Sequence, residues 1–75
     1  MTITGLLENW YSQNGMYWGQ VYFDRKGRFM DGESIHTSGV EDDPVTLPTG
    51  ATVIKTRNSV YMLGLPRLTE DTPNE

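Results

Sequence analysis

The chain has 75 residues, no cysteine, one histidine and a formal net charge of −4. That length allows a single domain burying only about 60 % of the surface its unfolded chain exposes, with neither a disulfide nor a thiolate metal site to supplement its core, so a homo-oligomer is expected. No apolar run approaches the roughly 18 residues of a membrane span, and the N-terminus lacks a basic segment followed by an apolar one, so a soluble cytoplasmic protein is expected.

The N-terminal segment admits two readings. Ile3, Leu6, Leu7 and Trp10 match the spacing of an amphipathic helix, with Thr2 or Thr4 as cap and Asn14-Gly15 as stop. Leu7 to Gln13 and the run from Met16 equally read as two strands around an Asn-Gly turn. A helix of so few turns is marginal without packing, which favours the strand. Met16 to Phe23 is dense in aromatic and β-branched residues and closes on Asp24-Arg25-Lys26-Gly27, a strand entering a turn with Gly27 left-handed. A very short strand, Arg28 to Met30, is expected next, then a hairpin turn at Asp31-Gly32.

Ser34 to Val40 alternates, with Ile35 and Thr37 on one face and His36, Ser38 and Val40 on the other. Residues Glu41 to Gly50 contain Pro44, Pro48 and three consecutive acids, and read as a loop. Ala51 to Thr56 and Ser59 to Leu63 form β-rich runs, and a two-residue connection at Arg57-Asn58 pairs Ile54 with Tyr61 and Thr52 with Leu63. A three- to five-residue loop is the alternative, because Arg57 is poorly suited to positive φ. Leu65 and Leu68, flanking Pro66, are expected to cover an open end of the sheet. The body is then one small β domain, residues 1–68, of about five strands in a strongly bent antiparallel sheet or partly open barrel. Residues 69–75 carry no apolar side chain and are expected to be a disordered acidic tail. Without that tail seven acidic and six basic side chains remain, too balanced to draw in a nucleic-acid polymer.

The chemistry-bearing residues gather in two words, Ile35-His36-Thr37-Ser38 and Thr56-Arg57-Asn58-Ser59. Hydroxyl and amide donors beside a guanidinium fork match phosphate geometry, so His36, Thr37, Ser38, Arg57, Asn58 and Ser59 are the candidate ligand-binding residues. Arg57, in a tight turn beside Asn58, is expected to carry backbone strain of the kind tolerated at sites. Trp18, Tyr22 and Tyr61 are candidate stacking or interface residues. Against this, Thr37, Ser38, Thr56 and Ser59 serve equally as turn caps or cross-strand partners, and loop cations such as Arg25, Lys26 and Arg28 are commonly just solvated. One histidine with no carboxylate at fixed spacing is not a triad, and Glu41, Asp42 and Asp43 diverge too much to hold a cation firmly. No enzyme, metal or cofactor is expected.

The words Leu7-Glu8-Asn9-Trp10, Gly19-Gln20-Val21-Tyr22, Gly27-Arg28-Phe29-Met30-Asp31-Gly32, Ile35-His36-Thr37-Ser38 and Thr56-Arg57-Asn58-Ser59-Val60-Tyr61-Met62-Leu63-Gly64, in that order, resemble a group of short bacterial and phage proteins. The resemblance spans about residues 7 to 64, and the stretch 41–50 is longer than the pattern has. It implies a mobile-element protein acting against host defences in the host cytoplasm. Two functions follow as expectations: sequestration of a phosphate-bearing small molecule such as a nucleotide immune messenger, or docking on a host protein through exposed aromatics and Glu41-Asp42-Asp43. A structural or adaptor subunit is the third.

Overall fold

The structure, a computed structural model, describes residues 2–68; the expected tail, residues 69–75, lies outside the described residues. The chain is all-β, with β1 at Gly5–Gln13, β2 at Met16–Tyr22, β3 at Glu33–His36, β4 at Val45–Thr46, β5 at Thr52–Lys55 and β6 at Val60–Leu63. They form one sheet in the order β3-β2-β1-β6-β5-β4. Four neighbouring pairs are antiparallel and β1 runs parallel to β6, so the sheet is mixed rather than wholly antiparallel. Among the described residues no helix is long and apolar enough to cross a membrane.

The N-terminal segment is strand. Asn14 and Gly15 take φ of 55° and 76°, the two left-handed residues of a type I′ turn, whose twist matches the strands it joins. Within β1 the register slips by one residue between Glu8 and Tyr11. Asn9 supplies the extra residue at φ 54°, and asparagine tolerates that region better than most side chains. Opposite the bulge lies Gly19, where a Cβ would come within 2.8 Å of the Glu8 carbonyl oxygen and 3.2 Å of the Trp10 Cα. The bulge moves Trp10 to the inner face, where its indole N–H donates to the Gly64 carbonyl at 3.0 Å, and Tyr11 to the outer face opposite Trp18.

Leu7, Val21, Ile54 and Tyr61 form the buried inner core, with Trp10, Tyr17, Phe29, Ile35, Val40 and Leu63 packed against it. Leu7 pairs with Val21, and Ile54 with Tyr61, so the period-two alternation of four strands puts their apolar side chains on one surface. The sheet curls over this core. Val40 donates to the Gly15 carbonyl at 2.9 Å and bridges Thr56, joining the β1–β2 turn to the end of β5.

Several expectations are corrected. Arg28 to Met30 is not a strand but part of a loop organised by the Asp24 carboxylate. The strand expected over Ser34 to Val40 ends at His36, and after Thr37 the chain turns so that Val40 joins the core, not the face of His36. The stretch 41–50 holds the two-residue β4, which adds a sixth strand. Leu65 and Leu68 are 76 % and 81 % exposed and cover nothing, because Trp10 already fills the end they were expected to close. Pro66 does not end pairing: Asn9 N–H donates to Leu65 O, and Arg67 N–H to Trp10 O, both at 2.8 Å.

Candidate functional site

The seam where the end of β3 meets the β5–β6 turn holds a cleft of about 70 Å³, lined by Arg28, Phe29, His36, Thr37, Ser38, Thr56, Asn58, Ser59 and Tyr61. The turn is tight: Thr56 N–H donates to Ser59 O at 2.8 Å and the Thr56 hydroxyl to the same oxygen at 3.3 Å, leaving Arg57 and Asn58 at the tip. Neither takes positive φ, so the strain expected at Arg57 is not there. Among the described residues the non-glycine positions at positive φ are Asn9, Asn14 and Phe23.

Two cations converge on this cleft from the loop after β2. Asp24, its side chain fully enclosed, accepts from the backbone N–H groups of Lys26 at 3.3 Å, Arg28 at 2.7 Å and Phe29 at 3.1 Å. Burial alone would raise the Asp24 pKa; these three N–H groups, with the Arg28 guanidinium, outweigh it and hold the carboxyl below its ordinary value. Gly27, at φ 68°, closes the same turn. The carboxylate therefore folds the loop into a ring that projects Lys26 and Arg28 toward β6. Lys26 Nζ donates to Asn58 O and, at 3.3 Å, to Ser59 Oγ. Arg28 Nη2 reaches Ser59 Oγ at 3.4 Å and the Tyr61 hydroxyl at 3.3 Å, while its guanidinium lies 5.0 Å from the Phe29 ring centre.

The hydrogen-bond inventory sorts the hydroxyls. Thr37 Oγ1 accepts from Tyr17 N–H at 3.1 Å and donates to Ser38 O at 2.7 Å, so it is spent on the strand end. Thr56 is spent on the turn. Ser59 and Tyr61 accept from cations and donate to no other described residue, which leaves both O–H groups free to donate. Four of the six Lys and Arg side chains surround this one hairpin: Arg28 at the cleft, and Lys26, Lys55 and Arg57 along a depression that shares Thr56, Asn58 and Ser59 with it. No carboxylate lines either cavity. Asp24 is the nearest counter-charge, 4.0 Å from Arg28 Nε, and is already engaged by backbone donors.

Of the sequence candidates, His36, Thr37, Ser38, Asn58 and Ser59 share the cleft, whereas Arg57 lines the depression beside it. Tyr61 is 3 % exposed; its ring belongs to the core and only its hydroxyl has a polar contact in the cleft. Trp18 and Tyr22 lie on the outer face. There, in register, Tyr11, Trp18 and His36 form a row across β1, β2 and β3, with ring centres 6.2 Å and 4.7 Å apart. Arg67 caps the row 5.0 Å from the Tyr11 centre. The Trp18 indole N–H is buried without an acceptor among the described residues, at a cost of about 1–3 kcal/mol. The grouping of Arg25, Lys26 and Arg28 in one loop leaves a local anion site open in the sequence without assigning any of them to it; in the structure Arg28 lines the cleft and Lys26 contacts Ser59 beside it. Among the described residues no three His, Asp or Glu side chains gather to hold a metal ion.

No protein-family model, no curated protein and no solved structure matches this chain.

Proposed function

We propose that the chain is a non-enzymatic binding protein that holds the phosphate of a small molecule in the seam cleft. The observation that carries this reading is the convergence of Lys26 Nζ and Arg28 Nη2 on Ser59 Oγ. Two positive donors on one hydroxyl polarise it and turn its proton outward, and the Tyr61 hydroxyl beside it accepts from Arg28 alone and keeps its own proton to donate. An anion with several acceptor oxygens can take both O–H groups and the remaining guanidinium donors at once, which is the pattern a phosphate meets best. Arg28 supplies the fork, Lys26 a point charge, Ser59 and Tyr61 the hydroxyls, and Asp24 positions the two cations. Lys55 and Arg57 raise the local potential and steer an anion inward. As a phage or mobile-element protein in the host cytoplasm, such a binder acts by sequestering a phosphorylated host signal.

Thermal melting tests this against phosphorylated metabolites and the same compounds dephosphorylated, at low salt. Phosphorylated members should raise Tm and their counterparts should not; the shift should vanish in Arg28→Ala and shrink at high salt. A shift surviving Arg28→Ala, or none with any compound, contradicts the reading.

A second reading, docking on protein, is favoured by the outer face. Val45, Val53, Met62, Leu6 and Tyr22 are neighbours in register across five strands, an apolar row in which Val53 is already buried and beside which Arg25 stands with Leu6, Met62 and Phe23. Phe23, next to Tyr22, is 70 % exposed and held at φ 58°, a strained conformation for a bulky residue. A two-fold axis across this row would set its apolar side chains against their own copies, and the occupant in this reading is a second copy of this chain. Native mass spectrometry should show a dimer that Met62→Glu converts to monomer; a monomeric wild type at micromolar concentration removes this reading, and a host protein docked through Glu41-Asp42-Asp43 then becomes the alternative.

A further inference from the structure

The seam cleft, at about 70 Å³, is on the scale of a single phosphate group. Any organic remainder of the ligand must leave it by one of its walls. Two larger cavities adjoin. The depression along Lys55 and Arg57 has no aromatic wall and suits further negative charge. The other, of about 390 Å³, lies on the outer face over Tyr11, Trp18 and His36, and shares His36 with the cleft. That volume is in the range of small-molecule sites.

Its construction is specific. The bulge at Asn9 brings Tyr11 into register with Trp18, and β3 places His36 on the other side of it, so three rings are held by backbone pairing rather than by chance packing. Tyr11 and Trp18 are within 7° of parallel. Arg67, its backbone bonded to Trp10, extends the row with a guanidinium 5.0 Å from the Tyr11 ring centre. Gln20, on the same floor, donates its amide N–H to Gly32 O at 3.2 Å, which fixes the amide and leaves its oxygen as an acceptor facing elsewhere. Asn9 adds a second exposed amide at the wall. Flat π-faces with amides at the margin recognise a planar, hydrogen-bonding heteroaromatic ring.

We propose that this groove is the ring subsite of the ligand whose phosphate the cleft holds, which makes the ligand a nucleotide, with its base stacked over Trp18 and His36 as the hinge between the two parts. The proposal rests on the anion reading of the cleft, and the test separates the two. Calorimetric titration of the full chain with inorganic phosphate, a nucleoside and the corresponding nucleoside monophosphate gives three affinities, and ¹H–¹⁵N spectra follow the indole N–H groups of Trp10 and Trp18. The monophosphate should bind at least about tenfold more tightly than phosphate, and Tyr11→Ala should weaken it at least about fivefold while leaving phosphate binding unchanged. The Trp18 indole signal should move with the monophosphate and the Trp10 signal should not. Equal affinity for phosphate and monophosphate, indifferent to Tyr11→Ala, overturns the ring subsite and leaves the cleft reading standing. A nucleoside bound as tightly as its monophosphate overturns the single-ligand proposal and removes the cleft from it. If none of the three binds, both readings fall.

Discussion

Asp24→Asn strikes the element that builds the cleft without replacing any residue that lines it. The carboxylate accepts three backbone N–H groups, two of them on Oδ2. An asparagine has one acceptor oxygen; turned to keep Arg28 and Phe29, it presents its amide N–H groups to the Lys26 N–H. Two charge-assisted bonds become neutral and a third is lost. Hydrogen bonds to charged groups contribute about 1.5–3 kcal/mol and neutral ones about 0.5–1.5, so after allowance for the solvent around this loop the loss is about 1–2 kcal/mol. For a domain this small that lowers Tm by roughly 4–16 °C. The pH dependence has a definite sign. Because the folded-state pKa of Asp24 lies below its ordinary value near 3.8, its contribution is complete above that value and disappears as pH falls through the lower folded one. Thermal unfolding by circular dichroism should therefore show a constant gap between wild type and Asp24→Asn from pH 5 to 7 that closes below about pH 4. Phosphate affinity should fall as well, since Lys26 and Arg28 lose their frame. Equal stability at pH 7, or a gap that does not narrow as pH falls below about 4, refutes the role assigned to Asp24.

Other outcomes follow from the same geometry. Gly19→Ala places a methyl carbon 2.8 Å from a backbone oxygen and should destabilise by about 1–3 kcal/mol, read as a lower denaturant midpoint with unchanged slope. Trp10→Phe keeps the ring but leaves the Gly64 carbonyl without its 3.0 Å donor, at about 1 kcal/mol in the same assay. Phe23→Gly relieves a left-handed φ at an exposed side chain and should leave Tm equal or raised, provided the chain is monomeric; a drop of several degrees would show that the ring is buried against a partner. Arg57→Ala should change phosphate affinity by about twofold, the size of a screened neighbour, where Arg28→Ala abolishes binding.

The strands that a period-two pattern describes were legible in the residues. Asn14-Gly15 reads as a tight turn once the flanking runs are strands, and a two-residue connection at Arg57-Asn58 pairs Ile54 with Tyr61, which is the register found. What escaped was set by single residues acting at a distance. The bulge at Asn9 shifts every later side chain of β1 by one face, so the row Tyr11-Trp18-His36 has no local signature. β4 is two residues held only by pairing with β5 in a proline-containing loop, too short for propensity to mark. The loop after β2 takes its path from the Asp24 carboxylate, and without that path Arg28 has no visible reason to reach Ser59. Attention therefore fell on Arg57, adjacent in sequence, whose side chain lines the neighbouring depression.

The most direct measurement is a ¹H–¹⁵N titration of the full chain with inorganic phosphate, following every backbone amide. Saturable shifts should centre on Arg28, Ser38 and Ser59 and disappear in Arg28→Ala. Shifts confined to Lys55 and Arg57, or growing linearly without saturation, would contradict a phosphate held at the seam.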